Sequence, residues 1–388
     1  MRDFFKTFVL FSIGVCVALI LSEITIRTVA PQRVSTGRSL VEPDEYLVYK
    51  LAKNQSVTYT LGEFQVTEAT NSIGLRDHEV GPKKPTTYRV LGLGDSFSFA
   101  SGVELEETYF KKLELSLSDK WERNVEVVNG AVWGYSLLQE VRFLKKYGLQ
   151  LQPDAAIIGY YVGNDFFDSY DLFDEQGNPT VIVKDGDLVS RVVADDPNAI
   201  RYSTARIRAF LATHSHLYCF LRERLSDVIV RLGLANPPPP PDFCAKEFDE
   251  HLQKGWELNQ RLLHEAADFT RARKLRLIVV ILPAIYQVYP DMWYQEISRL
   301  KIDSSLYDLE KPQRILREFC SQNQIECVDM LPALRRRQNE RDLFYRVDSH
   351  PTPKGHHVMA DSLAKYFSDH TIRTFGADRL QAASARHP

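Results

Sequence analysis

The sequence predicts an α/β fold: a three-layer αβα sandwich on a parallel sheet, preceded by an N-terminal membrane anchor. Three observations carry this. Short apolar runs at 89–93, 155–161 and 275–282 have the length and composition of strands buried on both faces. Amphipathic stretches of helical period separate them, the alternation that gives a parallel sheet covered on both sides. The first 30 residues carry a separate apolar run, with Arg2 and Lys6 ahead of it.

That run, residues 8–21, is apolar but for Ser12 and has the length of a signal-peptide core. The apolar pattern continues through Ile24 and Ile26. The one nearby small-x-small site, Thr28-Val29-Ala30, lies far past the run and is followed by Pro31, a poor cleavage context. The segment 1–30 therefore reads as an uncleaved signal anchor, with a cleaved signal peptide and a buried core helix as alternatives. Arg27, Arg33 and Arg38 follow it, so flanking charge does not choose the orientation. A lone N-terminal apolar segment commonly exports the polypeptide behind it, which places the rest of the chain outside the cytoplasm, in a bacterial periplasm or on the outer membrane face.

With 388 residues, 44% of them hydrophobic and 26% charged, the chain has material for a sizeable core. A net charge of −3 argues against a nucleic-acid partner held by bulk positive charge. Of five cysteines, Cys16 lies in the anchor, and no spacing reads as a zinc site. Cys320 and Cys327 fall at a helix end and the next strand, close enough either to bridge after export or to remain free buried thiols.

The elements follow in order. Residues 31–86 form a β-rich extension, with strands expected at 46–49 and 57–61 and a turn at 71–76. Residues 87–170 hold the first part of the α/β domain: strand 89–93, helix 106–117, strand 125–129, helix 137–147 and strand 155–161. Residues 171–245 break the rhythm as an insertion placed where a lid would be. It holds a hairpin around Asp185-Gly186-Asp187, a helix over about 200–232 and five prolines at 237–241, which must be extended. Residues 246–376 resume the domain with helix 248–274, strand 275–282, helix 312–321, strand 325–329 and helix 354–369. Residues 377–388 read as a loose tail.

Four short segments carry chemistry. In Gly94-Asp95-Ser96 a serine sits where a buried strand ends and a helix is about to begin, the context that exposes a nucleophile at the carboxyl edge of a parallel sheet. In the segment 129–136, after the second strand, the glycines Gly130 and Gly134 let backbone N–H groups approach a ligand. Asn164, after the third strand, offers an amide to a developing oxyanion. Asp348-Ser349-His350, before the last helix, offers a base for the serine and an acid to orient it; in an extended segment residues two apart share a side. Taken singly, each is matched by a bland alternative: a capping serine, an ordinary loop, an Asx turn or a surface aspartate. His214, His216, His356 and His357 read as surface or helix-face residues, and Trp133 and Tyr135 as either site lining or packing.

Taken together and in this order, the four segments resemble the SGNH (GDSL-like) hydrolase superfamily, over residues 88–165 and about 275–369. The resemblance implies a flavodoxin-like sheet and serine ester chemistry. Ser96 matches the nucleophile, Gly134 and Asn164 together with the Ser96 N–H match the oxyanion hole, and His350 and Asp348 match the base and its acid. One residue separates Asp348 from His350, whereas the family commonly has two. The Asp-x-His spacing is similar to that of alginate-type O-acetyltransferases, in which it precedes the serine segment. The implied activity is an esterase acting on O-acyl esters, acetyl foremost, of a small molecule or an envelope or secreted glycan. An O-acetyltransferase and a catalytically silent glycan-binding scaffold are the alternatives. No cofactor or metal is implied.

Overall fold

The structure, a computed structural model, describes residues 2–30, 34–35, 40–61, 63–174, 177–184, 187–190, 211, 214–221, 225, 242–300 and 302–384. Elements are numbered in chain order over these residues.

Five parallel strands make the central sheet: β6 (Tyr88–Gly94), β7 (Val125–Asn129), β8 (Ala155–Tyr161), β11 (Arg276–Leu282) and β12 (Glu326–Asp329). They lie side by side in the order β12-β11-β8-β6-β7. All but the first residue of β6 and of β11 are buried, because helices cover both faces and leave no side of these strands for water. Helices α3 (Tyr109–Trp121) and α11 (Pro353–Ser384) pack together on one face. On the other face α6 (Glu250–Arg271) packs against α4 (Leu137–Lys146), and its Trp256 meets Phe319 of α9 (Lys311–Gln322) edge-on at 5.7 Å. In sequence terms the strand order is 2-1-3-4-5. The order reverses between β6 and β8, and crevices at such a switch point are where open α/β sheets bind ligands.

The expected strands at 125–129 and 155–161 match the observed bounds. The expected helix at 106–117 starts later, at Tyr109, because Thr108 caps it by accepting the Lys111 N–H; Leu105–Glu107 form a 3-10 turn ahead of it. Helix α5 (Asp165–Leu172) was not anticipated, nor were α7 (Ile285–Val288), α8 (Pro290–Leu300) and α10 (Leu331–Arg335). Pro290 explains the break between α7 and α8, since a proline suits a first helical turn and not an interior. The final helix continues to Ser384, into the stretch 377–388 read as a loose tail. Residues 370–384 contain no proline, and their one glycine, Gly376, is tolerated inside a helix.

In the N-terminal extension β2 (Val41–Asp44) pairs with β3 (Val48–Leu51), and β4 (Ser56–Leu61) pairs with β5 (Phe64–Ala69), both antiparallel. The strand expected at 46–49 begins only at Val48. Tyr46 and Leu47 form the turn, held by their N–H groups donating to Asp44 Oδ1 at 2.9 Å each. A two-residue β1 (Val34–Ser35) adds to β4.

Helix α1 (Arg2–Val29) contains a stretch, Phe5–Val29, long and apolar enough to cross a membrane, about 37 Å at 1.5 Å per residue. None of its most apolar window is buried, which removes the core-helix alternative. Near its end Glu23 caps a short helical stretch of the insertion, accepting the His216 and Leu217 N–H groups and the Ser215 hydroxyl at 2.8–3.0 Å. The insertion's hairpin is present as β9 (Val181–Lys184) and β10 (Asp187–Ser190). Most of the helix expected at 200–232, and all five prolines, lie outside the described residues. Cys320 and Cys327 are free thiols in hydrogen-bond contact with each other.

Candidate active site

Ser96 is the first residue of α2 (Ser96–Phe99), directly beyond β6 at the switch point. The turn into α2 depends on Gly94, whose φ is +149; a Cβ there would sit 2.2 Å from Ser98 Oγ. Asp95 caps the helix, its Oδ1 accepting the Phe97 N–H at 2.9 Å.

His350 arrives from the far end of the chain on the loop between Leu343 and Thr352. The loop closes on itself: the Tyr345 N–H donates to His350 O at 2.9 Å, the Ser349 N–H to Tyr345 O at 3.1 Å, and the Thr352 N–H to Leu343 O at 3.0 Å. Ser349 has φ +67, so the segment is not extended as expected from the sequence. It turns at Ser349, and that turn brings the Asp348 and His350 side chains together across one residue. His350 Nδ1 lies 2.5 Å from Asp348 Oδ1, and Nε2 lies 2.8 Å from Ser96 Oγ. A carboxylate can only accept, so Nδ1 carries the hydrogen and Nε2 is left to accept from the Ser96 hydroxyl. The ring of Phe97 lies 5.0 Å from the imidazole and stacks on Tyr161 at 3.6 Å, which limits how His350 can tilt.

Gly134 has φ +73, the left-handed region, and a Cβ there would lie 2.8 Å from Tyr49 Oη. Its loop is held against β6 by the Gly130 and Val132 N–H groups, which donate to Gly92 O and Gly94 O at 2.8 and 3.0 Å. Tyr49 of β3 secures the loop from outside: its hydroxyl donates to Trp133 O at 3.0 Å, and its carbonyl accepts from Tyr135 Oη at 2.8 Å. Tyr135 is thereby a packing residue, and Trp133 is half-buried. Asn164 stands at the N-terminus of α5, its amide donating to Asp95 Oδ2 at 3.4 Å and hydrogen-bonded also to Asp168. In this arrangement the amide is engaged by two carboxyl groups.

Those carboxyls, the buried Asp95 and the half-buried Asp168, belong to an acidic group that the sequence did not reveal. Burial pushes Asp95 up to about 6, opposed by its Phe97 hydrogen bond, and pushes Asp168 up to about 8. Glu140 and Asp165, fully buried, are driven well above the usual carboxylate range, first by burial and then by neighbouring carboxyls. Neither Glu140 oxygen has a hydrogen-bond partner, so a neutral Glu140 is the form this interior tolerates. His356 is also not a surface residue. It is fully buried against Tyr109, whose N–H donates to its Nδ1 at 3.3 Å, and burial pushes it down to about 3, keeping it neutral. Among the described residues no group of three His, Cys, Asp or Glu side chains is placed to hold a metal ion.

Residues 243–386 match the family model described as an SGNH hydrolase-like domain, acetyltransferase AlgX. Over that span the chain is SGNH hydrolase-like. The matched span includes Asp348 and His350, while Ser96, Gly134 and Asn164 lie ahead of it. Among solved structures the chain is similar to a lipolytic protein of the G-D-S-L family from Desulfitobacterium hafniense, at 12% identity and a TM-score of 0.37, covering 71% of this chain and 98% of that one. It is similar to another member of that lipolytic family from Veillonella parvula, at 12% identity and a TM-score of 0.38, covering 72% and 98%. It is similar also to an acetylxylan esterase from Geobacillus stearothermophilus, at 11% identity and a TM-score of 0.37, covering 72% and 93%. A search of curated protein sequences finds no match.

Proposed function

We propose that the SGNH-like domain is a serine acyl-transfer enzyme acting on O-acetyl esters, with Ser96 as nucleophile, His350 as base and Asp348 as the acid that orients it. The observation that carries this is the continuous hydrogen-bond chain from Ser96 Oγ through the His350 ring to Asp348, at 2.8 and 2.5 Å. A serine hydroxyl is a weak nucleophile until a base takes its proton, and this chain supplies that base.

In the first half-reaction Ser96 Oγ bonds to the ester carbonyl carbon as its proton passes to His350 Nε2. The ester C–O bond then breaks, and the leaving alcohol departs with that proton. In the second half, water or an acceptor hydroxyl gives its proton to His350 and attacks the acyl-enzyme; the Ser96–acyl bond breaks and Ser96 regains its proton. The N–H groups of Ser96 and Gly134 receive the oxyanion. The Asn164 amide joins them by turning from Asp95 or Asp168. Each such donor is typically worth about 3 kcal/mol in the transition state.

Water as acceptor makes the chain an esterase, the reading we favour from the order of its segments, serine first and Asp-x-His last. A sugar hydroxyl as acceptor makes it an O-acetyltransferase, the second reading, favoured by the description of the family matched over 243–386. The apolar helix α1 supports a membrane-anchored protein with this domain outside the cytoplasm and an acetylated envelope or secreted glycan as substrate. The test uses the full-length chain in detergent with p-nitrophenyl acetate, with and without a polysaccharide acceptor. Free acetate in both arms is the result expected of an esterase. Acetate transferred to the polysaccharide at the expense of free acetate assigns the transferase instead.

A further inference from the structure

The Asp348–His350 loop has one structural demand that its own residues do not meet. Its backbone closes through Tyr345, Ser349 and His350, but the N–H groups of Arg346, Val347 and Asp348 point outward from the turn. All three donate to a single side chain, Glu63: Arg346 N to Oε1 at 2.6 Å, Val347 N to Oε2 at 2.9 Å and Asp348 N to Oε2 at 3.1 Å. Three successive N–H groups converging on one carboxylate form an anion-holding concavity, and here the anion is supplied by the chain itself.

Glu63 sits at the tip of the β4–β5 hairpin of the N-terminal extension, more than 280 residues from the loop in sequence. The next residue, Phe64, reinforces the contact. Its ring lies 4.7 Å from that of Tyr345 and over Gly102, where a Cβ would come within 2.8 Å of it. The Tyr345 hydroxyl in turn donates to Gly102 O at 2.9 Å. The hairpin therefore grips the loop between its tip and the segment that follows α2.

We infer that Glu63 is a positioning residue for the acyl-transfer reaction. By fixing the backbone of Arg346–Asp348, it sets where the Asp348 carboxylate stands and so how His350 is aimed at Ser96. The inference rests on the serine acyl-transfer reading above. Val347 is 69% exposed, so its turn has no core to hold it, and water would satisfy its N–H groups if the carboxylate were absent. What Glu63 adds is immobilisation, and a displacement of about 1 Å at a catalytic group can lower a rate by roughly 100-fold.

The test compares the full-length wild type in detergent with Glu63→Gln, Glu63→Asp and Glu79→Gln. Glu79 is a control from the same extension: its carboxylate likewise holds a turn, accepting the Ser72 N–H and hydroxyl at 2.9 and 2.5 Å, but the turn between β5 and β6 rather than the Asp348–His350 loop. The readouts are kcat and KM for p-nitrophenyl acetate, the rate of inactivation by a fluorophosphonate, and the unfolding midpoint. Glu63→Gln keeps one accepting oxygen and turns an amide NH₂ against backbone N–H groups. It is expected to lower kcat and the inactivation rate together by roughly 10- to 100-fold, with KM unchanged and a midpoint no lower than that of Glu79→Gln. Glu63→Asp, which keeps the charge on a shorter arm, is expected to fall between it and wild type, and decides the matter if Glu63→Gln does not fold. Wild-type kcat in Glu63→Gln or Glu63→Asp, or an equal loss in Glu79→Gln, overturns the inference while leaving the acyl-transfer reading intact. A wild type that neither turns over nor is inactivated overturns both.

Discussion

Ser96→Ala and His350→Ala are each expected to reduce kcat for p-nitrophenyl acetate by roughly 10⁴- to 10⁶-fold, and the double variant by no more than the worse single. The two side chains are hydrogen-bonded at 2.8 Å and act as one unit in the proposed mechanism. Without His350 the Ser96 proton has no acceptor, and without Ser96 the imidazole has nothing to activate, so the second loss removes nothing that the first left. Both variants should keep the wild-type unfolding midpoint within a few degrees. Ser96 makes no core contact that alanine would empty, and the His350 loop is closed by backbone hydrogen bonds that do not involve the ring. Steady-state kinetics on the three variants checks this. Additive losses would mean that the serine and the histidine act in separate steps.

Asp348→Asn is expected to cost roughly 10³- to 10⁴-fold in kcat with little change in KM. The volume is unchanged, so the cost arises from the hydrogen. An asparagine amide that donates to Nδ1 forces the imidazole into the tautomer with its hydrogen on Nε2, facing Ser96 Oγ donor to donor. The 2.5 Å contact and the nearly buried Asp348 side chain, 6% exposed, leave little room for a water to take over. Kinetics of Asp348→Asn beside Asp348→Ala separates this from simple loss of charge: the asparagine variant should be at least as impaired as the alanine one. An asparagine variant near wild type would show that the loop backbone alone orients His350.

The sheet was legible in the sequence because its strands are buried on both faces and so read as unbroken apolar runs; β7 and β8 match residue for residue. The segments bearing Ser96, Gly134, Asn164 and His350 were legible for a related reason, since each follows a strand or precedes a helix and a parallel sheet delivers such loops to one edge. The pairing of Asp348 with His350 was expected from an extended segment and instead comes from the left-handed Ser349, a conformation that a serine does not advertise. Glu63, Tyr49, the buried acid Glu140 and the half-buried Asp168 were not legible at all. Glu63 looks like any glutamate in an exposed turn, and only a hairpin folding back across the domain reveals what it holds. Glu140 sits in an amphipathic helix where an acid is ordinary, and its burial depends on how α4 lies on the sheet.

The most direct test of the central claim, that Ser96 becomes the acylated atom, is to treat the full-length chain with a fluorophosphonate and map the adduct by peptide mass spectrometry. The Ser96 Oγ–P bond forms as the P–F bond breaks, and His350 takes the proton. The expected result is a single adduct on the peptide bearing Gly94-Asp95-Ser96, abolished in Ser96→Ala and strongly slowed in His350→Ala. A wild-type chain that stays unlabelled, or carries its adduct on another residue, would contradict the account.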